Sequence, residues 1–274
     1  MNSYIFQDHQ KGSTIIAVLM VLLILTVVGT LAIRTAMTNF NLATNAQVGQ
    51  LSSQTADTPL NQYLISDVLK QTNLASVIGK ALKDQETSTG REYVFCYKPK
   101  TNARFGSSGS MAVNQITETT GGDNSKNINV QLVEGSVDNF CNLSSDFGSA
   151  REAIVTQVAI KIPTDSTELP PLALLARETN VSGGQNVPEG VTEQKRIRVT
   201  TIAVMPVYAS NLAKAQNCLK NNINDDSDEE IRTLMVSGNL KTSAECLVDL
   251  GIPVSTQVQE FNLQTFLKMI KEPT

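Results

Sequence analysis

An uninterrupted apolar run occupies residues 13–33, directly after a polar segment of twelve residues that ends in Lys11-Gly12. The run contains no charged residue. As an α-helix that rises about 1.5 Å per residue, it would span about 30 Å, which is the thickness of the hydrocarbon core of a bilayer. The pattern therefore predicts a membrane-spanning helix at the start of the chain.

The pattern changes after Arg34, because residues 35–56 carry no charge but mix apolar and polar positions. Apolar residues recur here at near-helical spacing, which is typical of an amphipathic helix. They are Ile33, Met37, Phe40, Val48 and Leu51. The polar positions are Asn, Gln, Ser and Thr, which would suit a stem packed among neighbouring stems. We therefore expect the first helix to continue beyond the membrane.

A break or restart of the helix is predicted at Asp57-Thr58-Pro59, because proline favours the first position of a helix. A second apolar stripe then runs to about Lys83. Its members are Leu60, Leu64, Val68, Leu69, Leu74, Val77, Ile78 and Leu82. The pattern allows one long helix that is disturbed near Pro59, or two helices in succession. In both cases the stripe is expected to pack on a globular domain.

Four β-strands are predicted, two from alternating apolar positions (126–133 and 195–204) and two from β-favouring runs that end at Pro99 and Pro163. They cover residues 92–98, 126–133, 153–162 and 195–204, whereas the Gly-, Ser- and Thr-rich segment 101–127 is predicted to be a loop. No helical pattern separates successive strands, which favours antiparallel pairing. The predicted fold class is α+β, with a long N-terminal helix, transmembrane in its first half, packed on an antiparallel sheet.

Helical patterns return in the last third of the chain. Residues 210–219 predict one helix, a capping box from Ser227 to Glu230 predicts a second over 231–236, and residues 261–270 predict a terminal amphipathic helix. The C-terminal part is therefore expected to be a partly helical extension. The predicted organisation is a leader (1–12), a transmembrane helix and stem (13–57), a helix and sheet domain (58–208) and this extension (209–274).

Charge and histidine content narrow the possible chemistry. The formal net charge is −4 without a basic cluster, which argues against a nucleic-acid surface. The single histidine, His9, lies in the twelve-residue leader. A chain without that leader has no histidine to act as a general base or in a catalytic triad. We therefore expect a structural protein without a cofactor rather than an enzyme.

Four cysteines and one acidic stretch are the remaining candidates for special chemistry. Cys96, Cys141, Cys218 and Cys246 allow three disulfide pairings, and sequence order favours Cys96 with Cys141 and Cys218 with Cys246. Reduced, buried thiols are the alternative. Asp225, Asp226 and Asp228 supply oxygen ligands of the kind that calcium prefers, but their spacing does not follow an EF-hand. Acidic residues are also favoured at a helix start, and we prefer that interpretation.

The position of the leader distinguishes this span from a secretory signal peptide. A signal peptide is cleaved after its apolar core, whereas Lys11-Gly12 lies before the core, so cleavage after Gly12 would leave the helix on a mature chain that begins at Ser13. This arrangement, with the sequence of residues 17–35, resembles type IV pilins and in particular PilX-type minor pilins. The resemblance implies cleavage by prepilin peptidase after Gly12 and methylation of Ser13.

Two residues depart from the pattern of most pilins. The mature chain would begin with Ser13 instead of Phe, and its fifth residue would be Ala17 instead of Glu. In the family, that Glu is thought to offset the N-terminal ammonium of a neighbouring subunit inside the apolar filament core, where an unpaired charge is costly. A subunit with Ala17 cannot do this. It would suit the end of a filament, where one neighbour is missing.

The resemblance also implies a location and a set of partners. The chain would cross the inner membrane once with its C-terminal domain in the periplasm, and would later lie in the pilus at or near the tip. Its partners would be other minor pilins, the major pilin, a pilus-tip adhesin and prepilin peptidase, in a filament that serves twitching motility.

Two alternatives to this interpretation stay open. One is a K-type pseudopilin of a type II secretion system, a group that also lacks the acidic fifth residue and is known for calcium sites. A large helical insertion within the sheet domain would favour that alternative. The other is a periplasmic enzyme that is held by an uncleaved signal anchor.

Overall fold

The structure is a computed structural model with an α+β fold. It describes residues 13–85, 87–99, 105–120, 126–148, 152–164 and 193–265. The chain divides into two compact units, Met1–Gln50 and Leu51–Thr274. The first contains the beginning of the long helix α1, and the second contains its last part, a six-stranded antiparallel sheet and several short helices.

Helix α1 runs without interruption from Ser13 to Ile65 and includes Pro59. The break or restart predicted at Pro59 is therefore wrong. One long helix as far as Lys83 is not formed either, because α1 ends at Ile65 and two short helices follow it. Proline removes one backbone donor and costs helix stability, but this part of the helix is fixed by burial. Ala56 is fully buried, Leu60 is 5% exposed, and Pro59 itself is buried.

The chain turns after α1 and forms two short helices, α2 (Val68–Gln71) and α3 (Val77–Asp84). The Ser76 hydroxyl caps α3 by accepting the backbone N–H of Gly79 at 3.0 Å. Because of these turns, the apolar stripe predicted from the sequence does not lie on one continuous helix face. As a result Val77 and Ile78 are buried, while two other members of the stripe, Leu64 and Leu74, are more than half exposed.

The sheet has the strand order β3-β2-β1-β4-β5-β6, and every neighbouring pair is antiparallel. The four predicted strands and their antiparallel pairing are confirmed. The strands are β1 (Glu92–Cys96), β2 (Ala112–Thr120), β3 (Lys126–Glu134), β4 (Val155–Lys161), β5 (Glu193–Val204) and β6 (Val254–Thr265).

Two strands contradict the sequence predictions. Strand β2 lies within the segment 101–127 that was predicted to be a loop. Its second half is rich in threonine, which as a β-branched residue suits a pleated strand. Strand β6 lies where a helix was predicted over 261–270, because twelve residues of β6 pair with β5. Residues 266–270 of that prediction lie outside the described residues.

A short 3-10 helix, Pro206–Tyr208, and three α-helices separate β5 from β6 along the chain. The α-helices are α4 (Leu212–Asn221), α5 (Glu229–Gly238) and α6 (Ser243–Asp249). The capping box predicted at Ser227 is wrong, because Asp228 is the N-cap of α5 and the Ser227 hydroxyl binds Asp225. A capping box is present instead at α6, between Thr242 and Glu245.

The central strands are covered on both faces. On one face α1 and α3 pack against alternate strand residues such as Phe95, Val158 and Ile197. On the other face α4 and α6 pack against residues of opposite parity, including Val155 and Ile202. Every residue of β4 is consequently buried. The second unit is therefore a three-layer arrangement of helix, sheet and helix.

Candidate functional site

The first candidate site is the exposed apolar surface of α1 in the first unit. The large apolar side chains between Ile15 and Leu42 are all exposed, from 49% at Val27 to 72% at Phe40. Moving one such side chain out of water stabilises a protein by about 1.5–3 kcal/mol. The helix is long and apolar enough to cross a membrane once.

Two threonine hydroxyls within the apolar run are satisfied inside the helix. The hydroxyls of Thr26 and Thr30 donate to the carbonyls of Leu23 and Val27, each at 2.8 Å. Hydrocarbon offers no partner for a hydrogen bond, so a spanning helix must satisfy such groups itself. The first charge after the run is Arg34. Between Ile15 and Ile33 the helix thus carries no charge and both of its hydroxyls are satisfied, which makes this stretch compatible with lipid.

The residues implied by the pilin resemblance lie at the start of this helix. Ser13 is the first residue of α1, while Gly12 and the rest of the leader lie outside the described residues. Ala17 is exposed on the helix, and residues 13–33 contain no ionisable side chain. Cleavage after Gly12, methylation of Ser13 and the filament-core position of Ala17 stay predictions.

The character of α1 changes near residue 51. Ser52, Ala56, Leu60 and Tyr63 recur at three- or four-residue spacing and are all buried, which places them on one helix face. The Ala56 carbonyl accepts the Thr201 hydroxyl of β5 at 2.8 Å. This part of α1 therefore packs on the sheet of its own unit.

Both predicted cysteine pairs are joined in the structure. Cys96 of β1 is bonded to Cys141, with Cα atoms 4.7 Å apart. Cys218 of α4 is bonded to Cys246 of α6, with Cα atoms 5.6 Å apart. These are the pairings that sequence order favoured. They attach the segment after β3 to the sheet and join two of the C-terminal helices.

The second candidate site is a row of charged residues across four neighbouring strands. Glu92 of β1 lies opposite Lys161 of β4, Lys161 lies opposite Arg198 of β5, and Arg198 lies opposite Glu260 of β6. The first three are at most 5% exposed. We call these four residues the charge row.

Two aspartates from the segment between α4 and α5 complete the charge row. Arg198 Nη1 lies 2.6 Å from an oxygen of Asp228 and 3.2 Å from one of Asp225. The Lys161 ammonium lies 2.8 Å from the other Asp228 oxygen. Burial alone would raise the pKa of Asp228, but hydrogen bonds and charges from Lys161 and Arg198 lower it overall. Asp228 is therefore held as a carboxylate.

These contacts occupy two of the three calcium candidates. The carboxylates of Asp225 and Asp228 bind cationic side chains, and Asp226 is partly exposed beside them. Across the part of the chain that the structure describes, no group of three or more His, Cys, Asp or Glu side chains is arranged to hold a metal ion. Asp228 does lie at a helix start, because it is the N-cap of α5. Its carboxylate makes no capping hydrogen bond, however.

Sequence reasoning missed the charge row because charged residues that alternate with apolar ones are typical of a solvated strand face. Lys161 and Arg198 follow that pattern in β4 and β5. They are buried because the C-terminal helices cover this face. A usable signal was the excess of acidic residues at 225–230, which could pair with buried cations.

Comparisons with known proteins add no family to this description. No protein-family model matches the chain, and neither a curated protein nor a solved structure matches it. The exposed apolar surface of α1 and the buried charge row are the two features that require a functional explanation.

Proposed function

We propose that the chain is a minor pilin that helps initiate assembly of a type IV pilus and lies at or near the pilus tip. The observation that carries the proposal is the division of α1. Residues 13–33 are apolar, uncharged and exposed, whereas the face from Ser52 to Tyr63 is buried against the chain's own sheet. The first part of the helix thus suits an apolar environment outside the chain. The last part packs on the chain's own folded domain.

The leader junction supports the same proposal. Cleavage after Gly12 would retain the apolar helix, and Ser13 would become the methylated N-terminus. Before assembly, residues 13–33 would hold the chain in the inner membrane with the sheet domain in the periplasm. The two disulfides agree with that oxidising compartment.

Transfer of the helix from the membrane into a filament is physically reasonable. Lipid chains and leucine-rich helices are about equally apolar, so helix packing can replace lipid contacts at little cost in hydrophobic free energy. Residues 35–50 would continue this packing, because they present uncharged polar side chains to neighbouring stems. The partners would be the major pilin, other minor pilins and a tip adhesin, after processing by prepilin peptidase.

Ala17 supports a position at the end of the filament. A carboxylate at this position would be buried among apolar helices, where it is tolerated only with a cationic partner. Ala17 has no carboxylate that could pair with the N-terminal ammonium of a neighbouring subunit. A subunit with no neighbour on that side does not need the carboxylate.

A second candidate function is that of a K-type pseudopilin in a type II secretion system. The observation that favours it is the position of α4, α5 and α6 between β5 and β6. These helices form an insertion within the sheet domain rather than an extension after it. Such an insertion is the feature that would favour a K-type subunit.

Deletion of the gene separates the two filament systems. For a minor pilin, we expect loss of surface pili and of twitching motility while protein secretion stays normal, with restoration by the wild-type chain. Loss of secretion with normal pili would instead establish the pseudopilin function. A strain that keeps both would contradict both proposals.

Two substitutions test the N-terminal assignment. We expect Gly12→Ala to abolish leader removal, whereas Asn2→Ala, at the far end of the leader, leaves it unchanged. Unchanged processing of Gly12→Ala would contradict the pilin proposal and favour an uncleaved signal anchor.

We expect Ala17→Glu to be processed but to impair pilus initiation, while Ala17→Gln has the smaller effect because it adds no charge. Normal initiation by Ala17→Glu would remove the argument for the filament end.

A further inference from the structure

The sheet has two edge strands, β3 and β6, and β6 is the one that lacks the usual protection against pairing. The outward backbone N–H and C=O groups of an edge strand are a template for another strand, and proteins commonly block them with charges, proline or a β-bulge. Strand β6 contains no proline, and all twelve of its residues pair with β5 without a shift in register. Among the described residues, no strand pairs with its outer side.

The opposite edge of the sheet is protected. Strand β3 carries a charge at each end, Lys126 and Glu134. Its pairing with β2 shifts in register near its end, so that Val133 has no partner in β2. A bulge of this kind twists a strand and disturbs its outer edge. The sheet is therefore more open to strand addition at β6 than at β3.

The one charged side chain of β6 does not guard its edge. Glu260 binds two arginines of β5, Arg198 through Nε at 2.8 Å and Arg196 through Nη1 at 3.3 Å. The carboxylate is thus directed back into the sheet, and its charge is matched there. A strand added to β6 would meet no unmatched charge of β6.

An exposed valine lies beside the open edge. Side chains an even number of residues apart point to the same face of a strand, so Val258 lies on the same face as Val254. Val254 packs against the core below the C-terminal helices, whereas Val258 is 46% exposed. Side chains that lie opposite each other on neighbouring strands make contact. A residue of an added strand would therefore cover Val258.

A second copy of the chain does not fit this edge within one membrane. Two identical edge strands form a symmetric pair by running antiparallel. Helix α1 runs in the same direction as β6, because Ser53 contacts Gln257 and the ring of Tyr63 lies 6.5 Å from that of Phe261. Paired copies would therefore hold residue 51 at opposite ends of one sheet. Chains anchored in the same membrane would then have to reach that sheet from opposite ends.

We propose that β6 binds an extended segment of a different subunit, which adds a seventh strand to the sheet. The backbone of that segment is the recognised group, so the segment must be extended and must lack proline where its N–H faces β6. Opposite Val258 we expect a β-branched or aromatic residue. The inference rests on the proposed function, because it identifies the contact that a pilin-like subunit makes with its neighbour at the filament tip.

Amide hydrogen exchange at single-residue resolution tests the added strand. In an antiparallel edge strand the N–H groups point alternately inward and outward. In the full-length chain expressed alone in micelles, every second amide of β6 should therefore exchange at least about tenfold faster than its neighbours. In the complex crosslinked in native membranes and purified through a tag on the chain, these alternate amides should be slowed at least about tenfold. The amides of β3 should not change.

Three outcomes would overturn the added strand. The first is that the alternate β6 amides of the native complex exchange as they do in the chain alone. The second is protection in the chain alone that increases with its concentration, which would identify a second copy as the occupant. The third is protection in the chain alone at every concentration, which would mean that the edge is already paired within the chain.

Two matched valine substitutions locate the contact. Val258→Lys places a charge beside the open edge and should reduce the protection of the alternate β6 amides in the native complex at least about tenfold. Val133→Lys, at a 39% exposed position of β3, should leave that protection unchanged. Neither valine is buried, so both variants should keep the denaturation midpoint of the wild-type chain. Full protection in Val258→Lys, or equal loss in both variants, would contradict the proposal.

The result is distinguishable from that for the proposed function. Removal of the leader after Gly12 without protection of β6 would support the pilin proposal and overturn the added strand. Protection of β6 in a chain that keeps its leader would support the added strand and contradict the pilin proposal.

Discussion

The first and last parts of helix α1 share one continuous backbone but differ in what they contact. In residues 15–42, the large apolar side chains are 49% to 72% exposed. In residues 51–65, one face from Ser52 to Tyr63 is buried on the sheet. One continuous helix therefore meets two environments. The order of apolar and polar side chains along it decides which part is exposed and which part has a buried face.

We therefore expect fold stability and membrane or filament contacts to depend on different parts of the helix. Substitutions in residues 51–65 and in the sheet should change the free energy of unfolding of the second unit. Substitutions in residues 13–50 should leave it unchanged and act on membrane insertion or assembly instead. Pairs of identical residues, one in each region, test this separation directly.

The largest difference is expected for two phenylalanines. Phe95 is 1% exposed in the core between α1, α3 and the sheet, whereas Phe40 is 72% exposed. Phe95→Ala should lower the free energy of unfolding by about 4 kcal/mol, because a buried aromatic side chain is lost and a cavity remains. Phe40→Ala should change it by less than about 0.5 kcal/mol. The measurement is guanidinium denaturation in micelles, followed by near-ultraviolet circular dichroism of the tyrosines.

A smaller but clear difference is expected for two arginines. Arg198→Met leaves Asp225 and Asp228 with Lys161 as their remaining cation, and should cost about 3 kcal/mol because a buried charge loses its partner. Arg34→Met, in the exposed part of α1, should leave the denaturation midpoint of the sheet unchanged. Equal midpoints for the two variants would mean that the charge row does not stabilise the fold.

The smallest difference is expected for two threonines. The Thr201 hydroxyl is buried and donates to the Ala56 carbonyl across the helix and sheet interface, while the Thr30 hydroxyl donates to a carbonyl of its own helix. Thr201→Val should therefore cost about 1 kcal/mol, the net value of a buried hydrogen bond. Thr30→Val should have no measurable effect on unfolding of the second unit. A cost for Thr30→Val as large as that for Thr201→Val would break the separation between the two regions.

Much of the fold could be predicted from local patterns. The apolar run from Ser13 to Ile33, the alternation in β3 and β5, and the absence of helical patterns between the four predicted strands were sufficient for a long helix and an antiparallel sheet. Strand β6 could not be predicted in this way, because it is an edge strand without a fully buried face. Its twelve-residue pairing with β5 decides its structure, and that pairing joins residues far apart in sequence. Pro59 misled for a similar reason, since burial against the sheet overrides its cost to the helix.

The charge row could not be predicted because it depends on three levels of structure at once. Strand register places Glu92, Lys161, Arg198 and Glu260 in one line. The C-terminal helices then cover that line, and the segment before α5 supplies the matching carboxylates. Only the last of these steps has a local sequence signal, the run of acidic residues at 225–230. The exposed helix, by contrast, needs nothing beyond its own composition to be recognised.

If the chain is a pilin-like subunit, the exposed part of α1 becomes the N-terminus of the mature protein. The test is mass spectrometry of the N-terminal peptide from the chain purified out of native membranes. We expect a peptide that begins at Ser13 with a methylated amine, and no peptide from residues 1–12. A peptide that begins at Met1 or Asn2, with the leader intact, would contradict it.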